Sequence, residues 1–471
     1  MYHTMRWLSG LALGFYFRRI ERFHAERVPL TGPILFTSNH PNSLTDSFVI
    51  GASLPRKVNF VATVQLFRFR PVKWLLTQCG VIPINRVKDD PRAMRSVIRT
   101  FEACFRVLER GEAIGIFPEG ITHDDAQLKP VKTGAARMAL ELEDRHEGKL
   151  GLQIVPVGLN FSAKETYRSE ALVNFGGPIR VANFLKGYPE KRHECIHALN
   201  VEIEHCLQSL IVHLPQLERV RLVAAVKRLY LDRLLLGNRV IHEPVAPEVE
   251  ELLLTQAIAN AVDFTFQNHP NRATAFVEKL DRYEGWLRRL KLSDEVLAHF
   301  PKNRRLVRQT FAWTLLAVIG APMAAYGWVH RLLPCAFIRL AGKRFAKVPA
   351  DRTHVSTVSM IAGGVGFGFF YGLCVAIFHR LFGWPASFWY ALSLPVAGLA
   401  AFYYLRELRR FTASLRASYV LLRAPFAARH LLALRSQLIA EIEAERGEIS
   451  LVTERSDSYH HLKLGLGAGP E

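Results

Sequence analysis

The stretch FTSNHPNSLTDSFVI, residues 36–50, places a polar cluster and a histidine directly after a predicted buried strand. Ile34, Leu35 and Phe36 lead into the cluster, and a continuous apolar run returns only after Asp46. A strand that serves packing alone has no use for such a cluster. We therefore expect the turn between this strand and the following helix to carry chemistry.

Around this turn, strand-like and helical segments alternate from about residue 33 to 180, which is the pattern of an α/β layer. Helices are predicted in PRAMRSVIRTFEACFRVLERG, which ends at Gly111, and in TGAARMALELE, where Thr133 is a candidate N-cap. Residues 190–300 indicate helices throughout, with a break at 242–250. The predicted strands are PILFTS, KVNFVAT, GVIPI, AIGIF, QIVPVGLNF and ALVNFG.

Composition restricts the class of protein. The 471-residue chain is 49% hydrophobic, which excludes a largely disordered protein, and its net charge of +19 implies an anionic partner. Charge alone does not decide whether this partner is nucleic acid, an acidic membrane surface or a phosphorylated small molecule. The six cysteines lie far apart without a CxxC pair, so we expect reduced thiols in a cytosol-facing protein.

Three segments without charged residues, 311–329, 353–379 and 381–405, indicate an integral membrane protein. Each meets the roughly 18 to 20 residues needed to cross hydrocarbon. Glycine and aromatic residues within them, and basic clusters beside them, favour membrane helices over the buried helices of a large soluble domain. A shorter apolar run, residues 7–17, is expected to be an interfacial anchor, with a core helix as the alternative.

Basic clusters predict the orientation, because lysine and arginine favour the cytoplasmic side, and three full crossings would place one cluster outside. We therefore expect residues 1–308 in the cytosol and a re-entrant first segment broken near Gly320 and Pro322. The other two segments would form a hairpin with HRLFGWP, residues 379–385, at its external tip. The clusters are Lys302, Arg304, Arg305 and Arg308; Arg339, Lys343, Arg344, Lys347 and Arg352; and Arg406, Arg409 and Arg410.

Four polar motifs lie at the ends of predicted strands: NHPNSLTD (39–46), GVIPINR (80–86), FPEG (117–120) and VPVGLN (155–160). Open sheets bind ligands at such strand ends. A histidine with a carboxylate partner can take a proton from an alcohol, and Arg86 offers a fork for phosphate oxygens. Glu119 can accept hydrogen bonds from hydroxyls, and Gly120 lets the backbone approach a ligand. Together they indicate a phosphorylated alcohol that attacks an acyl carbonyl.

In this order, the motifs resemble those of the glycerophosphate and lysophosphatidate acyltransferases, within the lysophospholipid acyltransferase superfamily. The resemblance covers residues 36–160 and says nothing about the chain after about residue 215. It implies a mixed α/β sheet flanked by helices. Its implied site consists of His40 as general base, Asp46 as orienting partner, Arg86 and Glu119 as acceptor-binding residues, Gly120 shaping the pocket and Pro156 supporting its wall.

One spacing departs from the commoner family motif, in which four residues separate histidine and aspartate. Here five residues separate His40 from Asp46, so the extra one must lie in the loop before the helix, which Pro41 permits. The longer spacing and FPEGITHDDAQLKPVKTG (117–134) resemble a glycerol-3-phosphate and dihydroxyacetone-phosphate branch. On this resemblance Lys132 and Thr133 join the candidate substrate-binding residues. The matched positions are His123, Asp124, Lys132 and Gly134.

Several candidates also have simpler explanations. Metal binding by His123 is disfavoured, because no third ligand is placed beside its acidic neighbours Asp124 and Asp125. A solvated turn, or a role in supporting the residues that contact the substrate, is favoured instead. Cys79 is expected to be an inert thiol and not a nucleophile. The remaining alternatives are a structural role for His40 and ordinary surface charges at Arg86 and Lys132.

The sequence thus predicts a membrane-bound O-acyltransferase that moves a fatty acyl group from a thioester donor to the sn-1 hydroxyl of glycerol 3-phosphate or dihydroxyacetone phosphate. The donor is acyl-CoA or acyl-carrier protein, and lysophosphatidate or another lysophospholipid is the alternative acceptor. A non-catalytic protein that binds acidic lipids is the alternative class. We expect no further cofactor and no metal. We also expect no binding of nucleic acid, because the basic residues cluster around the membrane segments.

The predicted organisation places the catalytic domain on the cytosolic face of a bacterial inner membrane or an endoplasmic-reticulum-like membrane. The expected parts are an N-terminal interfacial helix (1–30), an acyltransferase domain (31–215), a helical region (216–309), C-terminal membrane helices (310–410), and a basic amphipathic helix with a polar tail (411–471).

Overall fold

The computed structural model of the chain describes residues 1–84, 94–123, 125, 127–214, 216–238, 247–298, 304–345 and 354–454. The chain forms two compact units. The first comprises Met1–Leu217 together with Ala341–Ile361, and the second comprises Glu218–Leu340 with Ala362–Glu471. The segment around residue 355 therefore belongs to the same unit as the N-terminal sheet, although it lies more than a hundred residues further along the chain.

A mixed sheet forms the centre of the first unit. Its strands are β1 Arg19–Phe23, β2 Ile34–Ser38, β3 Val58–Thr63, β4 Ile82–Ile84, β5 Ala113–Ile116, β6 Gln153–Phe161, β7 Glu170–Phe175 and β8 Ile179–Arg180. Among the described residues the order is β1-β7-β6-β2-β5-β3-β4, with β8 beside β6. Parallel pairing from β6 through β2, β5 and β3 to β4 places five carboxyl ends along one edge.

The six predicted strands form β2 to β7, and the mixed α/β class is confirmed. β1 and β8 were not predicted. β1, RIERF, has three charged residues among its five and lies at the edge of the sheet, where it pairs with β7 and stays partly exposed. β8 has only two residues, which is too short to leave a pattern in the sequence.

The helices that accompany this sheet are α1 Tyr2–Tyr16, α2 Leu44–Ser53, α3 Arg70–Gln78, α4 Met94–Glu109, α5 Gly134–Arg145 and α6 Arg192–Leu210. All of them except α3 bury side chains against it. Side chains of a strand alternate between faces. In β2, Leu35 accordingly packs into a core built with α4, α5 and α6, whereas Ile34 and Phe36 pack into a second core built with α1 and α2. β2 is thereby buried on both sides and holds the following turn at a fixed position.

The α1 helix packs on the sheet on one side and exposes apolar side chains on the other. Its side chains Leu13 and Tyr16 are buried in the core of the sheet. Its other side exposes Trp7, Leu8 and Leu11, which fall on one helical face. The helix is thus part of the folded unit and also presents an apolar surface.

The second unit is helical. Its elements are α7 Val220–Asn238, α8 Pro247–Asn268, α9 Pro270–Leu290, α10 Asp294–Ala298, most of α11 Arg304–Phe345, most of α12 Val355–Arg423, and α13 Pro425–Glu454. The predicted break at 242–250 lies partly outside the described residues, and α8 begins at Pro247. Residues 455–471 of the predicted tail also lie outside them.

The structure contradicts one prediction for the apolar segments and agrees with another. The break predicted near Gly320 and Pro322 is wrong, because α11 runs through both residues as one helix. α12, in contrast, is interrupted at Gly383, with φ 76° and ψ −178°, inside the predicted hairpin tip. The Phe378 ring stacks on Tyr390, with centroids 4.3 Å apart, so the two halves of α12 fold back on each other.

Within the described part of the chain, one helix is long and apolar enough to cross a membrane by length and composition. It spans Val355–Val420, with a mean hydropathy of 2.0 and 11% burial in its most apolar window. Its large exposed apolar residues include Phe369, Trp384 and Trp389.

Candidate active site

The candidate site lies where the parallel strands end. β2 ends at Ser38, two residues before His40, and the neighbouring β5 ends at Ile116, directly before the segment 117–120. Because β2 and β5 are paired in parallel, both turns emerge at the same edge of the sheet. The topology therefore brings the first and third sequence motifs together, as predicted from strand ends.

The histidine and aspartate of the first motif form a hydrogen-bonded pair. His40 Nδ1 lies 2.9 Å from Asp46 Oδ2, which also accepts a 2.8 Å hydrogen bond from the Asn42 backbone N–H. The Asp46 side chain is fully buried, while 16% of the His40 side chain is exposed. Burial raises the pKa of the Asp46 carboxyl, and the hydrogen bonds from His40 and Asn42 oppose this rise.

The five-residue spacing is accommodated in the loop before α2, as the sequence predicts. α2 begins at Leu44, so Asp46 occupies its first turn while Pro41 and Asn42 precede the helix. Ser43 has φ 54° and ψ −135°, a conformation that few residues other than glycine adopt. This unusual residue turns the chain so that Asp46 faces back toward His40.

An aromatic ring covers one face of the His40 imidazole. The Phe117 ring stacks on the His40 imidazole, with centroids 4.0 Å apart and planes 14° apart. Phe60 lies beyond Phe117 in a nearly parallel plane. A Cβ at Gly115 would approach Phe60 to 2.5 Å, so only glycine at this β5 position lets the ring lie there. The stack restricts the orientation of the imidazole.

Glu119 is directed into the protein and not toward open solvent. Only 2% of the residue is exposed, and its Oε1 accepts a 2.8 Å hydrogen bond from the His40 backbone N–H. Its Oε2 accepts hydrogen bonds from His123 Nε2 and from the Lys129 backbone N–H. Both carboxylate oxygens are therefore engaged by protein donors. In this arrangement Glu119 and His123 hold the loop that carries His40.

Gly120 and Lys132, two residues of the predicted site, lie close together. Gly120 has φ +68°, and a Cβ there would come within 2.4 Å of Lys132 Nζ. The Lys132 backbone N–H also donates to the Pro118 carbonyl at 3.0 Å, which ties the two segments. Thr133 directly precedes α5, as predicted, but its side chain makes no capping hydrogen bond.

Two predicted residues, Arg86 and Asp124, lie outside the described residues. Arg86 follows β4, which ends at Ile84. Pro156 lies in β6 and pairs with Thr37 of β2, next to the turn that carries His40.

Sequence reasoning missed two residues that fix the His40 turn. The Asn39 side chain pairs with the backbone of Leu159 in β6, donating to its carbonyl at 2.9 Å and accepting from its N–H at 2.7 Å. Lys164 Nζ donates to the Pro41 carbonyl at 2.7 Å. Asn39 lies within the first motif and its polarity was a signal, but nothing marks Lys164 in the sequence.

A buried carboxylate that orients an imidazole at the edge of an α/β sheet defines a site able to take a proton from a hydroxyl group. Comparison with known proteins agrees with this chemistry. The family model described as Acyltransferase matches residues 19–160. Over this segment the predicted resemblance to the glycerophosphate and lysophosphatidate acyltransferases is confirmed.

Three curated relatives show the extent of the similarity. An uncharacterized acyltransferase of Schizosaccharomyces pombe is 25% identical over 316 residues, covering 49% of this chain and 47% of the relative. Glycerol-3-phosphate O-acyltransferase 1 of Saccharomyces cerevisiae is 30% identical over 214 residues, covering 44% and 27%. A 1-acyl-sn-glycerol-3-phosphate acyltransferase of Borreliella burgdorferi is 28% identical over 153 residues, covering 32% and 53%. The matches thus span about half of these relatives or less.

Proposed function

We propose that this protein is a membrane-bound O-acyltransferase that transfers a fatty acyl group from a thioester donor to the sn-1 hydroxyl of glycerol 3-phosphate or dihydroxyacetone phosphate. The observation that carries the proposal is the 2.9 Å contact between His40 Nδ1 and Asp46 Oδ2 at the strand edge of an acyltransferase-family domain. A protein that only binds lipid has no need of such a base.

In the proposed mechanism, Asp46 accepts the hydrogen bond from Nδ1–H and leaves Nε2 of His40 to accept a proton from the acceptor hydroxyl. The hydroxyl oxygen attacks the thioester carbonyl, a C–O bond forms, and the C–S bond breaks. The imidazolium returns its proton to the departing thiolate. No covalent acyl-enzyme is required, and the donor is acyl-CoA or acyl-carrier protein.

Two observations support a three-carbon phosphate as acceptor. The sequence FPEGITHDDAQLKPVKTG resembles the corresponding branch, and a relative carries the name glycerol-3-phosphate O-acyltransferase. We propose that Arg86 and Lys132 bind the phosphate, with Gly120 and Thr133 beside it. Lysophosphatidate is the second candidate acceptor, because another relative is named a 1-acyl-sn-glycerol-3-phosphate acyltransferase.

Membrane attachment is supported by the apolar helix Val355–Val420 and by the exposed apolar face of α1. We propose that α12 crosses the membrane as a hairpin, that α1 lies at its surface, and that the basic clusters keep the catalytic domain on the cytosolic side. A location next to lipid would give the domain direct access to acyl chains.

The proposal is tested by offering the purified full chain one long-chain acyl-CoA with radiolabelled glycerol 3-phosphate, dihydroxyacetone phosphate or lysophosphatidate in parallel. We expect transfer to the three-carbon phosphates. Removal of a general base lowers the rate by about 10²- to 10⁴-fold, so His40→Ala should lower kcat with little change in acceptor KM.

Cys79→Ser serves as the control, because burial raises the pKa of this thiol and the mechanism assigns it no role. We expect it to keep the kcat of the unmodified protein. Near-normal turnover by His40→Ala would make His40 structural. Absence of transfer to all three acceptors, with retained binding to acidic lipid vesicles, would favour the non-catalytic alternative.

Arg86 is tested in the same assay. Its guanidinium meets a phosphate whose charge is the same before and during the reaction, so Arg86→Ala should mainly raise the acceptor KM. Arg86→Lys should recover only part of the loss, because the two-pronged geometry is gone. An unchanged acceptor KM would show that another residue binds the phosphate. Lys132 would then be the next residue to substitute.

A further inference from the structure

The loop that holds the catalytic pair is contacted by a segment from far along the chain. His354 Nδ1 lies 2.7 Å from Ser43 Oγ, and Thr357 Oγ1 lies 2.9 Å from Thr45 Oγ1. These partners are 311 and 312 positions apart in sequence, yet all belong to the first unit. Both contacts fall inside the five-residue interval between His40 and Asp46.

The contacts supply a cap that α2 otherwise lacks. The first N–H groups of a helix need acceptors, which an N-cap serine commonly provides. Ser43 occupies that position, but its side chain makes no capping hydrogen bond, and its hydroxyl meets His354 instead. Thr357 Oγ1 lies 3.3 Å from the Thr45 backbone N and accepts its hydrogen bond. A residue from another helix thus caps the first turn of α2.

The adjacent residue extends this attachment. The Ser356 hydroxyl donates to the carbonyl of Lys164, and Lys164 Nζ donates to the Pro41 carbonyl at the other end of the same loop. Ser356 is 1% exposed and Thr357 is 5% exposed, so the contacts are shielded from water. Met360, one turn further on, packs against the apolar core beneath α2.

We infer that the segment 354–357, which we call the strap, positions the catalytic pair: Thr357 and His354 hold the first turn of α2 so that Asp46 stays aligned with His40. The inference rests on the proposed function. Asp46 lies in the turn that Thr357 caps, and Ser43 holds its positive φ next to His354. Thr357 is accordingly a positioning residue that acts through Asp46. The strap includes the first three residues of α12, Val355 to Thr357.

The test compares Thr357→Val, which keeps the shape but removes the hydroxyl, with Thr357→Ser, which keeps the hydroxyl. A displacement of about 1 Å in a catalytic group can lower the rate about 10²-fold. We expect Thr357→Val to lower kcat by about tenfold to 10²-fold with acceptor KM unchanged. Thr357→Ser should restore the rate. Ser359→Ala, two residues further along and on the other side of the same helix, is the matched control and should keep the full rate.

Hydrogen exchange measured by mass spectrometry gives a second readout that does not depend on turnover. We expect amides of residues 42–47 to exchange faster in Thr357→Val and to regain their protection in Thr357→Ser. His354→Ala should produce the same local increase and keeps the test available should Thr357→Val not fold.

Unchanged kcat together with unchanged exchange at 42–47 in both loss variants would overturn the inference. So would an equal loss of kcat in Ser359→Ala, since that would show a general effect of altering the helix. If the unmodified protein transfers no acyl group, the proposed function fails, and the exchange experiment still decides whether the strap holds the loop.

Discussion

At the scale of single residues, His40 is held on three sides. Asp46 binds its Nδ1, the Phe117 ring stacks on its imidazole, and the Glu119 carboxylate accepts its backbone N–H. The family resemblance implies that Glu119 binds the acceptor. Its position in the structure favours a role in fixing the loop, because both oxygens already accept hydrogen bonds from protein groups.

These two roles predict different kinetics for Glu119→Gln. Glutamine replaces one carboxylate oxygen by an amide nitrogen, which donates hydrogen bonds and accepts none. The side chain can then no longer accept all the hydrogen bonds that His40, His123 and Lys129 donate to Glu119, and buried donors are left unsatisfied. We expect kcat to fall by about tenfold or more while acceptor KM stays within about twofold. His123→Ala should change kcat in the same direction by a smaller factor.

Steady-state kinetics with glycerol 3-phosphate decide between the roles. Glu112→Gln is the matched control, because Glu112 directly precedes β5 and lies at the opposite end of that strand from Glu119. A raised acceptor KM with preserved kcat in Glu119→Gln would instead support direct binding of the acceptor.

At the scale of elements, a buried ion pair joins three helices of the second unit. Asp294 at the start of α10 accepts a 2.8 Å hydrogen bond from Arg435 Nε of α13. The Tyr283 hydroxyl of α9 donates to the same Oδ1 at 2.5 Å. Only 1% of the Asp294 side chain is exposed, whereas 18% of the Arg435 side chain is exposed. Removing one member leaves the other charge buried without its partner.

We expect Asp294→Leu to lower the free energy of unfolding of the second unit by about 3 kcal/mol, since breaking a buried pair costs about 3 to 5 kcal/mol and Arg435 keeps some access to water. Denaturant unfolding followed by tryptophan fluorescence measures this change. Asp281→Leu is the control: its pair with Arg221 is exposed, and such pairs contribute about 0 to 1 kcal/mol. Equal losses in the two variants would contradict a special role for the buried pair.

At the scale of the whole molecule, the proposed membrane topology depends on α12. Its two halves fold back at Gly383, and each is long enough to cross hydrocarbon of about 30 Å at 1.5 Å per residue. A hairpin that crosses twice returns the chain to the side from which it entered. Arg339 and Lys343 before it and Arg406 and Arg409 after it would then share the cytosolic side.

Cysteine labelling of intact cells with an impermeant reagent checks this topology in a variant whose native cysteines are replaced. We expect a probe at Trp384→Cys to react from outside, and probes at Lys343→Cys and Ala413→Cys to react only after permeabilisation. Trp384 is preferred to Gly383 because it is 71% exposed and avoids the positive φ of the glycine. Labelling at Lys343→Cys from outside would show that α11 crosses and that the predicted orientation is wrong.

The sequence by itself predicted the strands β2 to β7, the order of the motifs along the chain and the apolar hairpin. Strands such as β2 and β6 are continuous apolar runs, and the polar residues that interrupt them mark the strand ends where His40 and Glu119 lie. Local backbone chemistry also predicted the loop between His40 and Asp46, because a helix cannot turn a side chain six positions back onto its partner. These features depend on residues close together in the chain.

Only the tertiary structure decided what surrounds that pair. The Asn39 contact with β6, the Phe117 ring over His40, the double engagement of Glu119 and the strap at Thr357 each join segments with no shared periodicity. Thr357 is an ordinary helical threonine in the sequence, and its contact arises because it lies 312 positions from Thr45 in the chain and yet beside it in space. The continuity of α11 through Pro322 was likewise seen only in the structure, where Gly327 of this helix also lies against the backbone of Ala397. Such contacts depend on how distant elements pack, and local sequence patterns do not specify them.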